Sequence, residues 1–88
     1  MTQLEKRLIG LSLLGLCFMK HTHYDYIIVG NNTATSDWYL DKMFEDGRDV
    51  GENIFYEIGE ALDYVDNALK RANLPSLEEA YEGRNNES

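Results

Sequence analysis

The segment ENIFYEIGEALDYVDNALKRAN, residues 52–73, carries the clearest structural signal in the chain. Its apolar residues recur at intervals of three and four, the spacing that places side chains on one face of an α-helix. They are Ile54, Ile58, Ala61, Leu62, Val65, Ala68, Leu69 and Ala72. Lys70 and Arg71 complement the dipole at the helix end, and Pro75 stops the pattern. This pattern predicts an amphipathic helix over 52–73 and favours a mainly α fold.

A second helix is predicted at the beginning of the chain. Thr2 and Glu5 form a T-x-x-E capping box, which marks a helix start, and the apolar sequence that follows extends the helix over 3–19. Gly10 and Gly15 each weaken a helix by about 1 kcal/mol relative to alanine. We therefore expect that these glycines serve instead to allow close packing against a neighbouring helix.

The apolar run LIGLSLLGLCFM, residues 8–19, follows Lys6 and Arg7 and so has the charge pattern of a targeting segment. No small-x-small cleavage site follows it, and a bilayer span takes about 20 residues. We interpret the run as a buried helix or a subunit interface rather than a targeting segment. The single cysteine, Cys17, excludes an intramolecular disulfide and favours a reducing, cytoplasmic location.

Residues 24–29 (YDYIIV) are the best strand candidate because they are rich in aromatic and β-branched residues. A strand needs a partner. The partner is either the stretch 13–19, if the chain turns at 20–23, or the same strand of a second copy.

Two further helices are predicted from local signals. Thr35 or Ser36 can cap a helix over 37–45, and the S-x-x-E capping box at 76–79 starts a short helix over 77–82.

These elements predict one small, mainly α domain over residues 1–82, with about three helices and one short β-strand or hairpin. An all-α fold is the alternative. Residues 83–88 (GRNNES) are expected to be a disordered tail. A homodimer is plausible because the apolar run 8–19 is hard to bury in a small monomer.

The charge of the chain is strongly one-sided. The net charge is −8, and the first 44 residues hold equal numbers of acidic and basic side chains, so the excess lies in residues 45–88. A direct nucleic-acid binder needs a basic face, so this class is excluded, and no membrane partner is expected. The excess either keeps the protein soluble or presents a negative surface to a basic partner.

The sequence offers no convincing metal or cofactor site. His21 and His23 form an H-x-H pair but lack firm third and fourth ligands. The acidic loop at 45–52 does not match a calcium loop, because Arg48 occupies a ligand position. We therefore predict no metal and no cofactor.

Residues 24–34 (YDYIIVGNNTA) resemble the strand and turn that open flavin-binding Rossmann domains. That turn requires G-x-G-x-x-G, whereas this segment has only Gly30. No nucleophile motif or phosphate-binding loop is present either. The chain is therefore not expected to be an enzyme.

The remaining functional signal is an acidic and aromatic surface. Glu57, Glu60 and Asp63 are candidate charge contacts, and Tyr56 or Tyr64 is a candidate anchor. The predicted surface also includes the acidic residues of the preceding loop, which are Glu45, Asp46, Asp49 and Glu52. Acids spaced along a helix present charge at a density similar to that of a nucleic-acid backbone.

These features predict a non-enzymatic inhibitor, a nucleic-acid mimic that binds a basic nucleic-acid-binding protein. In its general profile, small, acidic and cysteine-poor, the chain is similar to phage-encoded anti-defence proteins such as anti-CRISPR and anti-restriction proteins. The alternative is a structural or adaptor subunit that assembles through its apolar first helix or through the strand 24–29.

Overall fold

The computed structural model describes residues 1–43 and 54–87, with side chains described as far as Gly83. Within these ranges the chain forms helices on one side of a small antiparallel sheet. The elements in chain order are α1 (Gln3–Leu13), β1 (Leu16–Lys20), β2 (Tyr26–Gly30), α2 (Ala34–Met43), β3 (Ile54–Phe55), α3 (Ile58–Arg71) and α4 (Leu77–Glu87). A mainly α fold with a short hairpin was predicted, and the structure confirms it.

The sheet has the strand order β1-β2-β3. In the β1–β2 hairpin Leu16 lies opposite Gly30, and in the β2–β3 pair Tyr26 lies opposite Phe55. The inner face of the sheet supplies Leu16, Ile28 and Phe55 to the core. The helices complete the core with Leu11, Leu14, Met43, Ala61, Leu62, Val65, Ala68, Leu69 and Leu77.

The predicted first helix over 3–19 is too long. Its start is correct, because Thr2 and Glu5 form the capping box, but α1 ends at Leu13. Gly15 then adopts a left-handed conformation (φ +80°), which breaks the helix and turns the chain into β1. The alternative, that the end of this run pairs with the strand candidate, is confirmed by the β1–β2 ladder.

The second helix begins earlier than predicted. Thr33, not Thr35 or Ser36, caps α2: its hydroxyl oxygen accepts a hydrogen bond from the Ser36 backbone N–H (3.2 Å). In return, the Thr33 backbone N–H donates to the Ser36 hydroxyl oxygen (3.0 Å). Ser36 is fully buried, and its hydroxyl group has hydrogen-bond partners within the protein. The predicted end of this helix at Glu45 lies outside the described residues.

The third helix begins later than predicted. Ile54 and Phe55 pair with β2 as a short strand, and α3 starts at Ile58 after an extended Glu57 (φ −134°, ψ 143°). From Ile58 onwards the helix predicted from the apolar periodicity is present, and the buried residues of α3 line the core. In Ile54 and Phe55, pairing with β2 therefore determines the conformation, although the apolar periodicity predicts a helix there.

The fourth helix packs against the first. Ser76 and Glu79 form the predicted capping box, with hydrogen bonds of 3.3 and 3.2 Å. Gly10 of α1 lies directly against the backbone carbonyl of Leu77, so the expectation of close helix packing at this glycine is confirmed. The helix extends to Glu87, into the segment 83–88 for which disorder is predicted.

Candidate protein-binding surface

Three of the predicted contact residues lie together at the beginning of α3. Tyr56, Glu57 and Glu60 are all exposed, and 67% of Tyr56 is accessible to solvent. Glu57 caps α3 through its backbone only, so its carboxylate is not used as a helix cap. Among the described residues, neither Glu57 nor Glu60 takes part in an ion pair or a side-chain hydrogen bond. We call Tyr56, Glu57 and Glu60 the acidic patch.

Asp63 lies on the same helix but already has a partner within the chain. Its Oδ1 atom is 2.7 Å from a guanidinium nitrogen of Arg7, which belongs to α1. The Asp63 side chain nevertheless remains 71% exposed. Asp63 can therefore border a binding surface, but part of its charge is offset by Arg7.

Tyr64 is half-buried and packs against the core. Its ring centroid lies 5.3 Å from that of Phe55, in a tilted arrangement that suits aromatic pairs. Tyr56 is therefore the more accessible of the two candidate anchors. The four loop acids Glu45, Asp46, Asp49 and Glu52 lie outside the described residues, so their contribution stays a prediction.

The structure also contains a polar junction that the sequence does not reveal. Asp66 of α3 accepts a hydrogen bond from the Leu77 backbone N–H (2.8 Å) and another from Nε of Arg7 (3.1 Å). One carboxylate thus connects α1, α3 and the first turn of α4. We call Arg7, Asp66 and Leu77 the three-helix junction.

A groove of about 720 Å³ runs beside this junction. It is lined by Arg7 and both of its aspartate partners, together with Gln3, Lys70 and Glu78. Because two carboxylates surround Arg7, its charge is largely compensated within the chain. We therefore regard the groove as a product of helix packing.

The tip of the β1–β2 hairpin is a hydrogen-bonded turn. Asp25 Oδ1 accepts a hydrogen bond from the Thr22 hydroxyl (2.8 Å) and lies 3.2 Å from Nδ1 of His21. Burial raises the pKa of Asp25, but the hydrogen bonds from Thr22 and His21 and the charge of His21 outweigh it, so the net pKa lies below 3.8. In the described part of the chain, no three His, Cys, Asp or Glu side chains are grouped as metal ligands.

The lowered pKa of Asp25 predicts a pH-dependent turn. Because the folded-state pKa lies below that of the unfolded chain, the carboxylate stabilises the fold above pH 3.8 and loses its effect as pH falls through the folded-state pKa. We expect the difference in thermal midpoint between wild type and Asp25→Asn to be largest near neutral pH and to disappear in strong acid. A difference that is constant with pH would show that Asp25 does not act through its charge.

None of the helices in the described ranges is long and apolar enough to cross a bilayer. Comparison of the chain with protein-family models, with curated proteins and with solved structures finds no match.

Proposed function

We propose that the protein is a non-enzymatic inhibitor that places its acidic patch in a Lys- and Arg-rich groove of a nucleic-acid-binding protein. The observation that carries this proposal is the exposure of Tyr56, Glu57 and Glu60, which are close in sequence around the start of α3. Carboxylates without partners in the described chain are available to a basic surface. The exposed tyrosine that precedes Glu57 in the chain supplies an aromatic side chain of the kind that is frequent at interface hot spots.

The distribution of charge supports the same partner class. The excess of eight negative charges lies in residues 45–88, which include the acidic patch. A field of one sign accelerates encounter with an oppositely charged groove and weakens as salt screens it. Inhibition then follows from competition, because the groove cannot hold the acidic patch and a nucleic-acid backbone at the same time.

The alternative role is that of an assembly subunit, and part of the apolar surface proposed for that role is buried in the fold. Leu11 and Leu14 of the first apolar run and Ile28 of the strand are core residues of one chain. They are therefore needed for folding and are not accessible to a second subunit.

The test is a double charge reversal, Glu57→Lys with Glu60→Lys. We expect the affinity for a basic partner captured from a nuclease-treated bacterial lysate to fall by about tenfold or more, because two attractive contacts become repulsive. The measurement is a titration of the captured partner with each variant, at low and at moderate salt. Circular dichroism verifies that the variant is folded, since Glu60 also favours the helix N-terminus.

A matched control reverses two exposed acids elsewhere, Asp41→Lys with Glu82→Lys, and changes the net charge by the same amount. We expect this control to retain most of the affinity. Equal losses in both variants would mean that net charge, not the acidic patch, determines binding. An unchanged affinity in the first variant would refute the assignment of the surface.

A further inference from the structure

The outer face of the sheet is apolar. Side chains alternate between the two faces of a strand, and Leu16, Ile28 and Phe55 belong to the core on the inner face. The alternate residues of each strand therefore point to the outer face, and none of them is charged. They are Cys17, Met19, Ile27, Val29 and Ile54, which we call the apolar face.

The apolar face is one continuous surface. Met19 lies opposite Ile27, and Ile27 lies opposite Ile54. Cys17 and Val29 form the adjacent pair on the same face. Met19 is 54% exposed and Ile54 is 41% exposed. In the described ranges, no member of this face belongs to the core or to the half-buried side chains that pack against it. A contiguous exposed apolar surface is a typical feature of interaction sites.

The apolar face borders the acidic patch. Tyr56 and Glu57 follow β3 directly in the chain. Residues three positions apart have Cα atoms separated by at most about 11 Å, so Glu57 lies within this distance of Ile54. A typical interface covers about 800 Å² on each partner, so a single partner can cover parts of both surfaces.

Charge complementarity favours a basic protein over a second copy as the occupant of the apolar face. Each copy carries a net charge of −8, and a net charge far from zero keeps proteins monomeric. A basic partner instead gains attraction to Glu57 and Glu60 while it covers the neighbouring apolar face. This choice of partner rests on the proposed function of the acidic patch.

The apolar face also restricts the kind of nucleic-acid groove that fits. A groove for single strands combines basic residues, which follow the phosphate backbone, with aromatic side chains on which the bases stack. A duplex-binding surface contacts chiefly phosphates through charged and polar side chains. Those side chains would lose water against the apolar face without gaining a partner. Acids beside an uncharged face therefore match the groove for single strands.

We propose that the basic partner binds single-stranded nucleic acid, and that its base-stacking aromatic side chains pack on the apolar face while its Lys and Arg side chains bind the acidic patch. In this arrangement the acids take the place of phosphates, and the apolar face takes the place of bases. The acidic patch supplies an attraction that salt screens, and the apolar face supplies a contribution that does not depend on charge.

Met19→Glu tests the role of the apolar face. If attraction to a basic groove were the only contribution, an added negative charge would preserve or increase the affinity. We expect instead a loss of about tenfold for the captured partner, at low and at moderate salt, because a carboxylate is placed against aromatic side chains. The control Leu4→Glu makes the same charge change on α1, where Leu4 is 47% exposed, and should retain the wild-type affinity. Circular dichroism verifies that both variants are folded.

The results distinguish failure of this assignment from failure of the proposed function. Equal affinities of Met19→Glu and Leu4→Glu would overturn the role of the apolar face, while a weakened Glu57→Lys with Glu60→Lys variant would leave the proposed inhibition standing. An unchanged affinity of that double variant would refute the acidic patch and with it this choice of partner. If no basic protein is captured, both proposals fail. A wild-type dimer that Met19→Glu dissociates, detected by sedimentation equilibrium, would assign the apolar face to a second copy instead.

The partner class is tested with two nucleic-acid probes. The captured partner is titrated with a labelled single-stranded oligonucleotide and with the same oligonucleotide annealed to its complement. We expect the single strand to bind more tightly and to be displaced by this protein. Tighter binding of the duplex would overturn the proposed partner class.

Discussion

Replacing Gly10 by alanine is expected to lower the free energy of unfolding by about 3 kcal/mol. A Cβ atom at this position would lie 2.8 Å from the carbonyl carbon of Leu77 and would overlap the carbonyl oxygen. Both are backbone atoms, so no side-chain rotation can relieve the overlap, and α1 must move away from α4. The higher helix propensity of alanine offsets about 1 kcal/mol of the cost.

The chain contains a matched control for this prediction. Gly59 is also helical, but a Cβ atom there meets no heavy atom within 4 Å. Gly59→Ala is therefore expected to stabilise the protein by about 0.5–1 kcal/mol. Urea unfolding of both variants measures the difference directly. If Gly10→Ala were as stable as wild type, the close contact of α1 with α4 would be refuted.

The second large effect is expected at the three-helix junction. Asp66→Ala leaves the Leu77 N–H without its acceptor and removes one of the two carboxylates that surround Arg7, whose side chain is 16% exposed. Removing one partner of this partly buried polar network costs more than its net contribution, because the remaining groups stay largely desolvated. We expect a loss of about 3 kcal/mol in the free energy of unfolding.

Two controls separate the causes of this loss. Asp66→Asn retains one oxygen for the Leu77 N–H but replaces the acceptor of the Arg7 Nε–H by an NH2 group, so its effect should be smaller than that of Asp66→Ala. Asp63→Ala removes a carboxylate that is 71% exposed, and exposed ion pairs contribute about 0–1 kcal/mol. Urea unfolding should show Asp63→Ala to be the most stable of the three variants, Asp66→Asn to be intermediate and Asp66→Ala to be the least stable. Equal stability of all three variants would contradict the junction.

Elements with local signals could be predicted from the sequence. The capping boxes at Thr2 and Ser76 depend on residues three positions apart, and both are present in the structure. The apolar periodicity of α3 likewise indicates which face of the helix is buried. The end of α1 could not be located in this way. The residues of β1 become a strand because they pair with β2, and that pairing depends on residues beyond the helix pattern.

The same distinction applies to the candidate site. The exposure of Glu60 follows from its position opposite the apolar face of α3, which the sequence shows, whereas Glu57 is exposed just before the helix begins. The partnership of Asp63 with Arg7 does not, because the two residues lie 56 positions apart. Contacts of this kind require the packing of α1 on α3 to be known.

The central claim is that the acidic patch occupies a nucleic-acid groove, and a competition experiment tests it most directly. The captured partner is loaded with a labelled DNA or RNA oligonucleotide and titrated with wild type, Glu57→Lys with Glu60→Lys, and Asp41→Lys with Glu82→Lys. We predict that wild type and the control displace the oligonucleotide, while the patch variant needs about tenfold more protein or fails. Simultaneous binding of the protein and the oligonucleotide to the partner would contradict the proposed mimicry.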